Sequence, residues 1–277
     1  MADTSKAFPG QAAPGLPQEM RSNRRDLRIQ RLIADGAIVV LLAVWWVTSR
    51  NLPVYVLPGP VDVVKAMARF VTEPGIAYHA AVSFARVMAS VTIAMVLALL
   101  IASMVRFAPV LDAVVERRIL TFLNSFPSVG WAILGVVWFK ISTPTVLFIQ
   151  TAIVLPFCII NALAGFRQID PDLDELGRSL TRSPVRRLFK VTLPLVAPFL
   201  VAGLRVAYGI CWKIALVSEL FGASSGLGYL LMRAQSGSDA AMVFACCLVI
   251  VAIYTITDHF LLKPLAKRFS VNQETAS

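Results

Sequence analysis

The sequence predicts an all-α membrane protein with about six transmembrane helices, because its apolar residues are too many for a soluble domain and are gathered in long blocks. Hydrophobic residues make up 57% of the 277 positions and charged residues 15%, whereas soluble domains average about 45–50% apolar and about 25% charged residues. The net charge of +10 comes largely from Lys and Arg that flank the apolar blocks. It therefore indicates membrane flanks rather than a nucleic-acid surface.

Each block is long enough to cross the hydrocarbon core of a bilayer, which is about 30 Å thick and needs about 20 helical residues. The predicted spans are Leu32–Thr48, Val82–Met104, Leu120–Phe139, Thr145–Leu163, Pro198–Val217 and Ala240–Leu262. The first block begins too far along the chain for a cleaved signal peptide, so we predict an uncleaved span. Pro127, Gly130 and Gly135 predict a kink in the third block. Residues 32–269 form the predicted transmembrane domain, between tails at residues 1–31 and 270–277.

The distribution of Lys and Arg predicts the orientation of the spans. Most of these cations lie in the N-terminal tail, in residues 105–119, in residues 165–192 and in the C-terminal tail. The opposite side carries few, namely Arg50, Lys65, Arg69, Lys140 and Arg233. The richer side is predicted to be cytoplasmic by the positive-inside rule, and we call the other side the outer side. Both termini are then cytoplasmic, in agreement with an even number of spans.

The fifth predicted span carries an unusual set of polar and small residues on one broad helical face. They are Arg205, Gly209, Trp212, Lys213 and Glu219. An ionisable group at membrane depth costs at least about 2.5–3.5 kcal/mol on insertion scales, so it normally faces a cavity or a partner. One interpretation is a water-lined translocation path. The alternative is that Arg205 pairs with a neighbouring helix or reaches the cytoplasmic surface, and that Glu219 lies in the outer interface.

Three further features of the spans have a functional and a structural interpretation. Arg86 lies near the outer end of the second span and is predicted to be an interfacial anchor. Asp258-His259 near the inner end of the sixth span is predicted to be structural rather than a proton relay. The glycines that follow the fifth span permit either a re-entrant outer gate loop or an ordinary surface turn. These glycines are Gly222, Gly226 and Gly228.

The sequence contains no motif for catalysis or nucleotide binding. A G-x-x-x-x-G-K-[ST] phosphate loop, H-E-x-x-H and G-x-S-x-G are all absent, so we predict no catalytic residue, no cofactor and no enzymatic activity in this chain. The four cysteines lie inside apolar blocks and are predicted to be buried free thiols. With only two histidines, a zinc site is not predicted.

The cytoplasmic segment before Pro194 has the pattern of two short amphipathic helices. Asp170-Pro171 is a helix start, with Asp170 as the cap and Pro171 at the first helical position. Ser183-Pro184 repeats that pattern. Such helices could lie on the lipid surface, or they could dock with their apolar faces in a groove on a partner protein.

This segment resembles the cytoplasmic signature loop of binding-protein-dependent ABC transporter permeases. That signature reads Glu-Ala-Ala, three residues, Gly, nine residues, Ile, one residue, Leu-Pro, and Glu175, Val191 and Leu193-Pro194 stand at the matching positions. Leu176 and Gly177 replace the two alanines, and Thr181 replaces the glycine. The resemblance implies that residues 170–191 contain coupling helices that dock in a cleft on a cytoplasmic ATPase. The implied coupling residues are Asp174, Glu175, Leu176, Gly177, Leu180, Thr181, Phe189, Leu193 and Pro194.

Further motifs resemble the nitrate/sulfonate/taurine branch of these permeases over most of residues 32–269. They include Leu57-Pro58-Gly59-Pro60, Ser83-Phe84-Ala85-Arg86-Val87, Gly203-Leu204-Arg205 and the stretch from Glu219 to Gly228. The resemblance implies a type I ABC importer permease in the bacterial inner membrane. Its implied partners are a cytoplasmic ATPase dimer that binds ATP and Mg, a periplasmic solute-binding protein and a second permease subunit, most simply a second copy of this chain. The branch, together with Arg205 and Lys213, favours a small anion as the solute.

The alternative function is a self-contained secondary transporter or channel. It would predict inverted repeats with discontinuous helices, or a polar pore stripe on several spans. The sequence shows no clear internal repeat, and only the fifth span has a broad polar face, so the importer permease is the preferred interpretation.

Overall fold

The computed structural model describes the backbone of residues 18–170, of Asp172, Glu175 and Ser179, and of residues 183–274. The chain divides into two compact units, Met1–Pro53 and Val54–Ser277. In the first unit the described residues form one helix, α1 (Gln18–Arg50), which contains the predicted span Leu32–Thr48. Every regular element among the described residues is helical, which confirms the predicted all-α fold class.

The second unit contains a succession of helices joined by short connections. They are α2 (Pro60–Thr72), α3 (Pro74–Phe107), α4 (Val110–Ser125), α5 (Ser128–Phe139), α6 (Thr143–Arg167), α7 (Pro184–Arg187), α8 (Leu188–Gly222), α9 (Leu227–Ser236) and α10 (Ala240–Phe269). Proline occupies the first turn of α2, α3 and α6, where its missing N–H costs no helical hydrogen bond. Asp239 caps α10 by accepting a 3.0 Å hydrogen bond from the backbone N–H of Met242.

Four helices among the described residues are long and apolar enough to cross a membrane, namely α3, α6, α8 and α10. The pair formed by α4 and α5 would make a fifth, broken span with a bend of 85°. The prediction of one kinked helix over Leu120–Phe139 is therefore corrected to two helices. Phe126 is extended, with φ −73° and ψ 125°, because the proline ring at position 127 disfavours the helical conformation of the preceding residue. The total of six spans stays a prediction.

The core of the second unit lies where α3 and α8 pack on α6. On α3 the residues Ala94, Ala98 and Ala102 are fully buried, and their four-residue spacing places them on one face, as small residues at membrane helix contacts usually are. Gly203 of α8 allows a similar approach, since a Cβ there would lie 2.7 Å from the Cβ of Asn161 on α6. The tight packing of α8 against α6 fixes which face of α8 is left open.

Candidate translocation path and coupling segment

An open groove of about 1070 Å³ runs between α8 and α10. Arg205, Gly209, Trp212 and Lys213 of α8 all line it, opposite α10 residues such as Tyr254. Four of the five residues that were predicted to share the polar face are thus brought together on one wall. The remaining lining is mostly apolar, so the polar groups of α8 dominate the chemistry of the groove.

Arg205 is paired with a carboxylate of α10 and does not present a free charge to the groove. Its Nε donates to Asp258 Oδ1 at 2.8 Å and its Nη2 to Asp258 Oδ2 at 3.1 Å. Lys263 Nζ lies 3.6 Å from the same carboxylate. This arrangement matches the alternative interpretation of Arg205, that it pairs with a neighbouring helix, and it gives Asp258 a structural role.

Lys213 is the second cation on this wall of the groove, and unlike Arg205 it is not paired with a carboxylate of the described residues. Its side chain is exposed, and within the part of the chain that the structure describes it forms no ion pair with Asp or Glu. It lies eight residues beyond Arg205, which is about 12 Å along a helix axis. Cys247 also lines the groove and is exposed, which corrects the prediction that all four thiols are buried; Cys158, Cys211 and Cys246 are buried as predicted.

Glu219 does not line the groove, which corrects its assignment to the path. Its side chain is fully buried and accepts hydrogen bonds from Ser83 Oγ at 2.6 Å and from the backbone N–H of Gly228 at 3.0 Å. Arg86 Nη1 lies 3.2 Å from Glu219 Oε1. Arg86 is likewise buried, so its predicted role as an interfacial anchor is also wrong. The sequence indicated only that an ionisable group at membrane depth needs a cavity or a partner, and it did not identify Arg86 as that partner.

Three closely packed glycines lie where α8 ends and α9 begins: Gly222 ends α8, Gly226 lies in the turn and Gly228 is in the first turn of α9. Gly226 has φ +108° and ψ 172°, and its N–H donates to His79 Nδ1 at 3.0 Å. A Cβ at Gly228 would lie 2.5 Å from the carbonyl oxygen of Leu216, and one at Gly222 would lie 2.8 Å from a methyl group of Thr145. Each glycine is therefore required by the approach of a neighbouring group. The role of this turn as an outer gate stays a prediction.

Asp170 and Ser183 act as the predicted helix caps, and Pro171 lies outside the described residues. Asp170 Oδ1 accepts from the N–H of Asp172 at 2.9 Å, and Ser183 Oγ accepts from the N–H of Arg186 at 3.4 Å. Among the predicted coupling residues, Glu175 and Pro194 are exposed, Phe189 is 63% exposed and Leu193 is half-buried. The others lie outside the described residues; they are Asp174, Leu176, Gly177, Leu180 and Thr181.

The end of α6 that leads into the coupling segment is tied to α4. Arg167 Nη2 lies 2.7 Å from Asp112 Oδ1, and its Nη1 lies 2.6 Å from Glu116 Oε1. All three side chains are partly exposed, so each ion pair contributes little stability. In the part of the chain that the structure describes, no group of three His, Cys, Asp or Glu side chains is placed to hold a metal ion.

Comparison with known proteins gives a consistent result. Residues 91–268 match the family model described as "Binding-protein-dependent transport system inner membrane component". The chain is 28% identical to the putative aliphatic sulfonates transport permease protein SsuC of Bacillus subtilis over 224 residues, which cover 80% of each protein. It is 26% identical to the taurine transport system permease protein TauC of Escherichia coli over 255 residues, 89% of this chain and 92% of that protein.

A third relative is the nitrate import permease protein NrtB of Synechococcus elongatus, which is 24% identical over 220 residues, 74% of this chain and 78% of that protein. The family model covers more than half of the chain and includes α6, α8 and nearly all of α10, and with them both walls of the groove. The chain therefore belongs to the family of binding-protein-dependent transport system inner membrane components, the multi-pass permease subunits of ABC importers.

Proposed function

We propose that this permease imports a small solute with an anionic group, and that the solute passes along the groove between α8 and α10. Relatives of the chain are named as permeases for aliphatic sulfonates, taurine, nitrate and bicarbonate. These solutes share an anionic oxygen-bearing group. A self-contained transporter or channel is disfavoured by the family, whose members work with a separate binding protein.

The observation that carries the proposal is the difference between the two cations of the groove wall. The charge of Arg205 is balanced by Asp258 at hydrogen-bond distance, whereas Lys213 is exposed on the groove without such a partner in the described residues. Charge interactions strengthen where water is sparse, and a cleft of one sign raises the local concentration of the opposite ion. Lys213 therefore lowers the electrostatic barrier for an anion in the groove.

Replacing Lys213 with methionine should slow uptake about 10-fold, which corresponds to a loss of about 1.4 kcal/mol. Methionine keeps the length and apolar stem of lysine and deletes only the charge. The measurement is uptake of radiolabelled taurine, an alkanesulfonate, nitrate or bicarbonate by cells that lack the native gene and carry either form of the permease.

The matched control for this variant is Lys65→Met, which removes a charge from an exposed position on α2, outside the groove, and should leave uptake unchanged. Uptake at the parental rate by the Lys213 variant would contradict the proposal. So would a cationic solute in the purified binding protein.

The partner chains supply what this chain lacks. We assign ATP and Mg binding to a cytoplasmic ATPase dimer, because no phosphate loop occurs in the 277 residues. A periplasmic binding protein delivers the solute, and a second permease subunit, most simply a second copy of this chain, covers the open face of the groove. Glu175 and Phe189 are exposed on the segment that is proposed to contact the ATPase.

The proposed orientation can be tested with single cysteines at Ser183 and Gly237. The parent for this experiment lacks the native cysteines, because Cys247 is exposed and would react. In intact cells an impermeant maleimide should label Gly237→Cys at the outer side, whereas Ser183→Cys should react only after the membrane is permeabilised. Labelling of Ser183→Cys in intact cells would reject the proposed topology.

A further inference from the structure

A buried polar cluster fastens the turn between α8 and α9 to two other helices. We call it the loop clamp, and it consists of Ser83 and Arg86 on α3, Thr143 on α6, Glu219 on α8 and Ser225 in the turn. Arg86 Nη1 donates to the carbonyl oxygen of Ser225 at 2.6 Å, and its Nη2 donates to Ser225 Oγ and to Thr143 Oγ1, both at 2.9 Å. One guanidinium thus joins three segments of the chain.

Glu219 and Ser83 complete the clamp from the other side of the turn. Ser83 Oγ donates to Glu219 Oε2 and accepts a 2.7 Å hydrogen bond from the N–H of Leu227. The same carboxylate oxygen accepts from the N–H of Gly228. The first two residues of α9 are therefore held by backbone hydrogen bonds to buried side chains.

The ion pair of the clamp is buried, so both charges lose their hydration when the protein folds, at a cost in free energy. The Arg86 and Glu219 side chains are 6% and 1% exposed. A buried ion pair usually gives no more stability than apolar side chains of the same volume would. A contribution to stability therefore does not explain why two charges lie at this place. A role in positioning the attached segments does explain it.

The clamp is connected to the groove through the backbone of α8. The start of α9 lies against Leu216, since a Cβ at Gly228 would approach the carbonyl oxygen of Leu216 to 2.5 Å. Leu216 also lines the groove. Glu219 follows Leu216 by less than one helical turn. The carboxylate of Glu219 therefore holds three segments to α3: the last turn of α8 that lines the groove, the loop and the start of α9.

We propose that Arg86 and Glu219 are positioning residues for transport, which hold the outer end of the groove wall and the following turn to α3 so that these segments move as one body. This inference rests on the proposed import function. When the binding protein displaces the outer turn, α3 and α8 move together with it. The displacement is then not lost through bending of the loop.

The decisive variant is the double substitution Arg86→Met/Glu219→Gln. It removes the bonds to Ser225 and Thr143, leaves an acceptor for Gly228 and buries no unpaired charge, so it should assemble better than either single variant. In purified permease–ATPase complex, the stimulation of ATP hydrolysis by the solute-loaded binding protein should fall at least about 5-fold per assembled complex. The solute is whichever of taurine, an alkanesulfonate, nitrate or bicarbonate the uptake assay identifies.

A second measurement follows the turn itself and does not depend on the solute. Ala223 is 6% exposed, so in a cysteine-free parent Ala223→Cys should react slowly with a charged maleimide in intact cells. Breaking the clamp should accelerate that reaction at least about 5-fold. A parent complex that the binding protein fails to stimulate would count against the proposed function, and the labelling rate would still test the clamp.

Two further variants separate the effect of the clamp from a general loss of buried hydrogen bonds. Gln150→Met removes other buried hydrogen bonds between α6 and α8, in which Gln150 Nε2 donates to Ser218 Oγ at 3.0 Å and Gln150 Oε1 accepts from Cys211 Sγ at 3.6 Å. It should leave both stimulation and labelling within about 2-fold of the parent. Thr143→Val/Ser225→Ala keeps the charge pair, so it should assemble normally and show a smaller loss in the same direction. Parental stimulation and labelling in the Arg86/Glu219 double variant or in the Thr143/Ser225 variant, or an equal loss in the Gln150 control, would overturn the inference.

Discussion

Replacing Gly226 with alanine is expected to remove most of the folded permease from the membrane. Gly226 has φ +108° and ψ 172°, a backbone conformation that is essentially restricted to glycine and costs a side-chain-bearing residue about 1–3 kcal/mol. The new Cβ would also overlap all three atoms of the Glu219 carboxylate group. That carboxylate cannot move aside without breaking its bonds to Ser83 and Arg86. The two effects together should exceed about 4 kcal/mol.

The measurement is the amount of monodisperse permease after extraction in a mild detergent, together with its thermal midpoint. Gly75→Ala is the matched control, because Gly75 is helical and a Cβ there would meet no atom within 4 Å. That variant should be neutral or slightly stabilising. A normal yield and midpoint for Gly226→Ala would show that the turn does not adopt the described conformation.

Four of the spans, those in α3, α6, α8 and α10, were predictable from the sequence because their apolar runs are long enough to exclude other structures. The third block marks the limit of that argument. Pro127 signalled a kink, but a proline in an apolar run is compatible with a bent helix as well as with two helices. The 85° angle between α4 and α5 depends on where α6 lies beneath them, as Trp131 of α5 packs on Phe148 of α6. No pattern within the block contains that information.

The groove residues were predictable for a similar reason, and Glu219 was not. Helical periodicity assigns Arg205, Gly209, Trp212 and Lys213 to one face of α8, and that face is the open one. Glu219 follows the same periodicity, but α9 folds back against this end of α8 and covers it. Its partner Arg86 is 133 residues away in the sequence. Periodicity gives the direction in which a side chain points, whereas its environment is decided by segments that are distant along the chain.

Reversing the charge of Glu175 is expected to uncouple the permease from its ATPase. Glu175 is exposed, and it follows a helix start at which Asp170 accepts a hydrogen bond from the N–H of Asp172. A lysine near the positive end of a helix dipole is unfavourable, and a reversed charge at a docking contact commonly costs about 2 kcal/mol or more, a factor of about 30 in affinity. Uptake and binding-protein-stimulated ATP hydrolysis in Glu175→Lys should therefore fall at least about 10-fold.

The matched variant is Glu175→Gln, which keeps the shape of the side chain and removes the charge without reversing it, so its loss should be clearly smaller. Both variants should be extracted from the membrane in parental amounts, since the exposed side chain at position 175 contributes nothing to the packing of α3, α6 and α8. Co-purification of the ATPase with the permease separates weak docking from failed signal transmission: a lower ATPase content with Glu175→Lys indicates weak docking. Parental uptake together with parental ATPase content in Glu175→Lys would exclude Glu175 from the coupling contact.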